Sequence, residues 1–196
     1  PATYRYAQCL YDSGQYGTLL DWIGSLDQNI SRHPTTEQME AYANLYLNNL
    51  NKASQLFKDL FEKNPGSLQY LVYYGMCRFR LGKESEAKIA FDAIKSRVSE
   101  SQNLIILAGG YEYIGEWEIA IDLAFKALEN DPNNPRTHLA FILTFLRREQ
   151  AEGKEPDEKH IKAFQKSIGE FNKRFPEEKA LQGFEVKNND ISQILK

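Results

Sequence analysis

Leu19, Ala53, Ala87 and Ala120 lie 34, 34 and 33 residues apart, and each follows by five places a residue suited to a tight turn: Gly14, Asn48, Gly82 and Gly115. The four stretches read "SGQYGTLLDWI", "NNLNKASQLF", "LGKESEAKIAF" and "IGEWEIAIDLA". A second column of small residues, Ala7, Ala41, Gly75 and Ala108, stands twelve places before the first. Such a period restricts the chain to arrays of one repeated supersecondary unit. The stretch "GGYEYIGEWEIAIDLAFKALENDP" shows what the unit is. Read as one helix, it carries a glycine in its middle. With Gly115 in a turn, it becomes two helices, one ending near Tyr113 and one beginning near Trp117, because glycine supplies the backbone freedom a helix–helix turn needs.

Larger residues follow each anchor: Ile23, Phe57, Phe91 and Ala124, then Leu26, Leu60, Ile94 and Ala127, with Pro65 and Pro132 closing two units. The period, the paired small residues and the closing prolines resemble the tetratricopeptide repeat. Unit 101–134 carries the pattern best, with Leu107, Ala108, Tyr111, Gly115, Ala120, Ala127 and Pro132 at the places that family expects. The resemblance implies an all-α fold, a right-handed superhelical solenoid of stacked helical hairpins. In such an array small residues let the two helices of a hairpin approach, larger ones fill the seam to the next hairpin, and stacking is obligatory. Departures occur at Ala124, where an aromatic is usual, and at Arg78, where Tyr or Leu is usual and whose stem is expected to pack while its head reaches water. In the second unit, strict register puts Glu37 and Glu40 on the packing face. A shift of two residues puts Met39, Tyr42, Ala43 and Tyr46 there instead.

The organisation expected is four repeats over 1–134, a fifth and degenerate one over 135–176, and a segment 177–196 that either caps the array or leads to a following domain. The fifth hairpin pairs a helix with Leu139, Ile142, Leu143 and Leu146 on its apolar face with one carrying Ile161, Phe164, Ile168, Phe171 and Phe175 at helical spacing. Between them "AEGKEPDE", residues 151–158, reads as a lengthened turn, a plain loop or an arm that contacts a partner. In the tail, "NNDISQILK" has the pattern of a capped short helix.

Hydrophobic residues at 42% and charged residues at 26% place the chain among globular proteins. A net charge of −3 and a pI near 5.7 argue against nucleic acid, which requires a basic stripe. No apolar run is long enough to span a membrane. "PATYRYAQCL" lacks the apolar core of a secretory leader and an initiator Met, so a mature product or a piece of a longer protein is expected. Two cysteines fit, weakly, a reducing compartment, and a cytoplasmic location is expected. Cys9 and Cys77 hold the same place in two units, too far apart for a disulfide, and both are expected to pack. His33, His138 and His160 have no nucleophile partner in sequence. Asn29-Ile30-Ser31 matches a glycosylation sequon by chance. Gly109 and Gly110 lie within a helix rather than after a strand, so they form no phosphate loop; they permit the close approach of a ligand or of a neighbouring helix. No catalytic site, cofactor or metal is expected.

The resemblance implies a concave groove lined by the first helix of each hairpin, holding a peptide or a partner helix. Its residues in register are Arg5, Gln8 and Asp12; Tyr73, Met76 and Arg80; Ile106, Gly109 and Tyr113; and Arg147, with Tyr42 and Tyr46 added if the second unit keeps strict register. Some of these are expected to pack between hairpins instead. An alternating Arg80–Tyr113–Arg147 row suits an extended segment with apolar anchors and acidic groups. The clamp with which some relatives hold a chaperone's C-terminal carboxylate needs Lys, Asn and Arg. This chain offers Tyr4, Gln8, Met39, Gln69 and Tyr73, so that role is disfavoured. The function expected is a protein–protein interaction module, scaffold or adaptor, not an enzyme, with a homo-oligomer or a subunit of a larger complex as its setting; the alternative is a regulatory or substrate-recruiting arm of a larger enzyme. Because no cluster of metal ligands exists in the sequence, a chelator such as EDTA should leave the melting temperature unchanged; a large drop would refute the metal-free reading.

Overall fold

In the computed structural model, which describes residues 2–26, 34–152 and 158–176, the turn residues are the signature of the repeat. Gly14, Asn48, Gly82 and Gly115 have φ of 70°, 62°, 73° and 79°. After each, the next amide closes a six-residue ring: Gln15 N–H donates to Leu10 O, Asn49 to Asn44, Lys83 to Arg78 and Glu116 to Tyr111, at 2.8–2.9 Å. The turn residue itself donates back three places, as Gly115 N–H does to Glu112 O at 3.1 Å. This is the Schellman ending, which needs a left-handed residue and satisfies the last carbonyls of the helix. The residue completing it also starts the second helix, since Ala120 N–H bonds to Glu116 O and Ala53 N–H to Asn49 O. Each turn is thus only three residues long, and the two helices fold back at once.

Ten helices result among the described residues. The chain divides into two compact units, residues 1–96 and 97–196. The first holds α1 (Ala2–Asp12), α2 (Tyr16–Ser25), α3 (Pro34–Tyr46), α4 (Leu50–Lys63), α5 (Leu68–Arg80) and α6 (Glu84–Lys95). The second holds α7 (Ser101–Tyr113), α8 (Trp117–Asn130), α9 (Pro135–Glu152) and α10 (Glu158–Arg174).

The anchors Leu19, Ala53, Ala87 and Ala120 are all fully buried, as are Ala7 and Ala41 in the second small column. At Gly75 the approach is closest: a Cβ there would lie 2.3 Å from Cζ of Phe91, whose ring is itself fully buried. The α5–α6 hairpin is therefore closed by an aromatic ring seated on bare backbone.

Helix α3 resolves the question of register in the second unit. Met39 and Ala43 join Ala7, Leu10, Leu19 and Ile23 in one core, while Ala41 joins Ala53, Phe57, Tyr70 and Cys77 in another. Both alignments caught one face of a helix buried on two, against its own partner and against the preceding hairpin. Neither glutamate enters a core. Glu37 accepts a charged bond from Lys63 of α4 at 2.6 Å instead. Tyr46, expected to pack in the shifted alignment, is 60% exposed and stacks on Tyr16 with ring centroids 4.7 Å apart.

Other expectations are corrected. Cys77 is buried, its thiol pushed up to about 11 mainly by burial, but Cys9 is exposed. The face Cys77 turns toward α3 and α4 has, at Cys9, no described element before it. Arg78 packs its stem, and its head is engaged at the surface: its Nε donates to Glu86 of α6 at 2.8 Å and its guanidinium lies 6.0 Å from the Tyr74 ring centroid. Helix α9 runs on to Glu152, so the first two residues of the expected loop are helical, and Glu158 already belongs to α10. Leu143, assigned to the apolar face, is 37% exposed, and Phe141 and Phe145 fill the core in its place. Residues 153–157, the His33 loop, the sequon at 29–31 and the tail 177–196 lie outside the described residues.

Close packing at the crossings has a direct test. Gly75→Ala must displace the Phe91 ring, and Ala87→Leu and Ala120→Leu overfill buried crossings. Each should cost about 1–3 kcal/mol in urea unfolding. Unchanged midpoints for all three would mean the crossings are looser than the geometry states.

Candidate partner-binding surfaces

The expected groove residues fall in both units. In the first, α1 carries a short polar chain: Tyr4 Oη donates to Gln8 Oε1 at 3.1 Å, and Gln8 Nε2 donates to Asp12 Oδ1 at 2.7 Å. These are successive i, i+4 pairs on one helix face. Arg5 is exposed beside them. On α5, Tyr73 is half-buried. It stacks on Phe57 and meets Tyr42 edge-on, both at 5.1 Å. Gln69 Nε2 donates to Tyr42 Oη at 3.0 Å. Burial, then neighbouring tyrosines, pushes the Tyr42 phenol well above its ordinary value, and the same causes raise Tyr11 to about 12. Tyr73 and Tyr42 therefore serve the seam between hairpins as well as any surface. Met76 is half-buried, and Arg80 Nη2 donates to Oδ1 of Asn48, the turn residue of the preceding hairpin, at 2.8 Å.

In the second unit, Ile106 is half-buried, Gly109 exposed and Tyr113 39% exposed, all on one face of α7. Arg147 of α9 lies beside that face. Its Nη1 donates to Glu112 Oε1 at 2.6 Å, while Thr144 Oγ1 donates to Glu112 Oε2 at 3.2 Å. A single carboxylate of α7 thus holds α9 in place. Between Thr137 and Glu149, α9 is buried except for one stripe: Leu139 and Ala140 half-buried, Leu143 and Arg147 exposed. Arg136 begins the same stripe, exposed. Sequence reasoning named Arg147 and missed the others. The available signal was the i, i+4, i+7, i+11 spacing of Arg136, Ala140, Leu143 and Arg147. It was obscured because residues 139–146 of α9 are apolar at every position but Thr144.

The fifth hairpin also buries polar groups that periodicity could not rank. Arg148, 5% exposed, donates from Nη1 to Glu149 at 2.7 Å and from Nη2 to Glu118 of α8 at 2.5 Å. Burial alone would lower its pKa, but the bonds to the two glutamates outweigh that and raise it. His160 of α10, buried, lies 3.3 Å from Asp122 and edge-on to Phe125. His138 Nε2 is 2.9 Å from Pro132 O, an obligate acceptor, so that nitrogen carries the proton, and Nδ1 accepts from Ser167 Oγ at 2.8 Å. Arg174 adds donors to Pro132 O and to Asn133 Oδ1. These bonds latch the α8–α9 turn to α10 beside a cleft of about 230 Å³ walled by Phe125, Leu128 and Ala163. Among the described residues no group of three or more His, Cys, Asp or Glu side chains is placed to hold a metal ion, and no helix is long and apolar enough to cross a membrane.

Comparison with known proteins bears on the fold. No protein-family model matches the chain, and no curated protein does. Among solved structures, the chain is similar to MamA 41-end from Desulfovibrio magneticus RS-1, with a TM-score of 0.57, 13% identity, and coverage of 91% of this chain and 96% of that one. It is similar also to a MamA RS-1 double mutant, with a TM-score of 0.58, 14% identity, and coverage of 90% and 96%. Both are tetratricopeptide-like helical repeat proteins, and at this identity the likeness establishes a fold of that kind.

The Arg148 cluster is testable. Arg148→Met leaves Glu149 buried without its guanidinium and should cost about 3–5 kcal/mol in chemical unfolding. The double variant Arg148→Met, Glu149→Leu should recover most of it. A double variant no more stable than the single would show that Arg148 acts by packing rather than by charge.

Proposed function

We propose that this chain is a protein-interaction module, a scaffold or adaptor that takes a peptide or partner helix along the exposed stripes of its first helices. The observation that carries the reading is α9, a helix enclosed on every side but one, whose open stripe presents Leu143 at 37% exposure beside α7, where Tyr113 is 39% exposed. Exposed apolar residues on adjoining helices, flanked by charged ones such as Arg147, suit an interaction site. Tyr and Arg, which recur on these helices, combine rigid contact area with bidentate hydrogen bonding and dominate interface energetics. In the first unit the corresponding candidates are Met76 and Arg80 on α5, with Arg5, Gln8 and Asp12 on α1. The fold of the MamA structures, an array of helical hairpins, suits such a role without specifying a partner.

The test is capture followed by titration. A partner retained by the tagged chain is measured calorimetrically against Tyr113→Ala, Leu143→Asp and Arg80→Ala. Tyr113→Ala and Arg80→Ala should each weaken it by about 1–2 kcal/mol, and Leu143→Asp more, with unfolding midpoints nearly unchanged. Wild-type affinity in all three would place binding on another surface.

A further inference from the structure

Resting on that reading, we infer that the α7–α9 face of the second unit takes an extended acidic segment: two carboxylates about five residues apart, with an apolar residue between them. Three features converge on this occupant. The first is charge. Arg136 and Arg147 stand at the two ends of the open α9 stripe, with Ala140 and Leu143 between them. Eleven residues of helix separate the arginines, about 16 Å at 1.5 Å per residue. An extended chain covers that distance in about five residues. The Arg147 pair with Glu112 leaves the arginine side chain 56% exposed and the glutamate 15% exposed. The guanidinium therefore still reaches solvent, while Glu112 is engaged by both Arg147 and Thr144. No carboxylate among the described residues pairs with the Arg136 side chain. An arginine thus stands at each end of the stripe, Arg136 without a carboxylate and Arg147 sharing Glu112, on a chain whose net charge is −3.

The second feature is Gly109. It sits in mid-helix on the open face of α7, where glycine weakens the helix. A Cβ there would meet nothing within 4 Å, so the fold itself gives no reason for its absence. This contrasts with Gly75, where the Phe91 ring occupies the space. A bare patch of backbone between Ile106 and Tyr113 lets an incoming main chain lie close. The third is that Leu143 of α9 and Tyr113 of α7 are both exposed on this face, which suits an apolar side chain between the two acids better than a uniformly charged tail.

The probe is a displayed library of random twelve-residue peptides selected against the whole chain. Enriched peptides should carry paired Asp or Glu about five residues apart around an apolar residue. A synthetic copy, followed by fluorescence anisotropy, should bind roughly tenfold more weakly to Arg136→Glu. Exchanging the matching acid of the peptide for lysine should restore most of that loss. Gly109→Gln should raise the melting temperature and weaken the peptide, a combination a structural role alone would not produce. Circular dichroism checks that Arg136→Glu, Gly109→Gln and Leu143→Asp remain folded. Enriched peptides that lose binding to Leu143→Asp but carry no paired acids would overturn this inference and leave the interaction-module reading standing. Failure to enrich any peptide, or enriched peptides indifferent to Gly109→Gln and Leu143→Asp, would overturn it as well.

Discussion

The close approach of two helices at a small residue is the constraint on which the structure depends. It is tightest where the Phe91 ring rests on Gly75 and recurs where Ala7 and Ala41 meet the second helix of their hairpins. Such crossings require the helices to turn back immediately, and the three-residue Schellman turns at Gly14, Asn48, Gly82 and Gly115 supply that. With the inner seam closed by small side chains, the bulky ones project toward the neighbouring hairpin. A hairpin so built cannot bury its own apolar surface, and the array follows.

This arrangement also decides where a surface is left for partners. Within their units, α3, α5 and α9 each pack on their own second helix and on the preceding hairpin, which leaves one narrow stripe. On α3 and α5 that stripe is largely filled by the ring system of Tyr42, Tyr73 and Phe57. On α7 and α9 it stays open, with Gly109, Tyr113 and Leu143 at the surface. The bonds from Arg147 and Thr144 to Glu112 fix the two stripes side by side, so stability and a candidate binding face share residues there.

The fifth hairpin stands apart in how it is held. Its core mixes stacked rings, Phe145 on Phe164 at 4.4 Å, with buried charge at Arg148 and Glu149 and buried imidazoles at His138 and His160. Bonds offset much of the cost of burying such groups, and here they run to Glu118 of α8 and to Pro132 in the α8–α9 turn. The hairpin is thereby tied to one neighbour by directional contacts that a purely apolar seam would not provide.

The period, the turn positions and the small-residue columns were legible in the sequence because each is a local requirement: left-handed φ selects Gly or Asn, and a tight crossing selects Ala or Gly. Two-sided burial was not, since a helix covered on both sides loses the single apolar face that periodicity detects. That is why Met39 and Ala41 supported different alignments of α3, and why Leu143 read as core while Phe141 and Phe145 took that role. Register alone assigned the groove candidates to the first helices of their hairpins. Which of them pack, as Tyr73 does on Phe57, and which stay at the surface, as Tyr113 and Arg147 do, was decided by neighbours tens of residues away. Sequence fixes what each helix can bury; only the packed array determines which stripe of it remains for something else to touch.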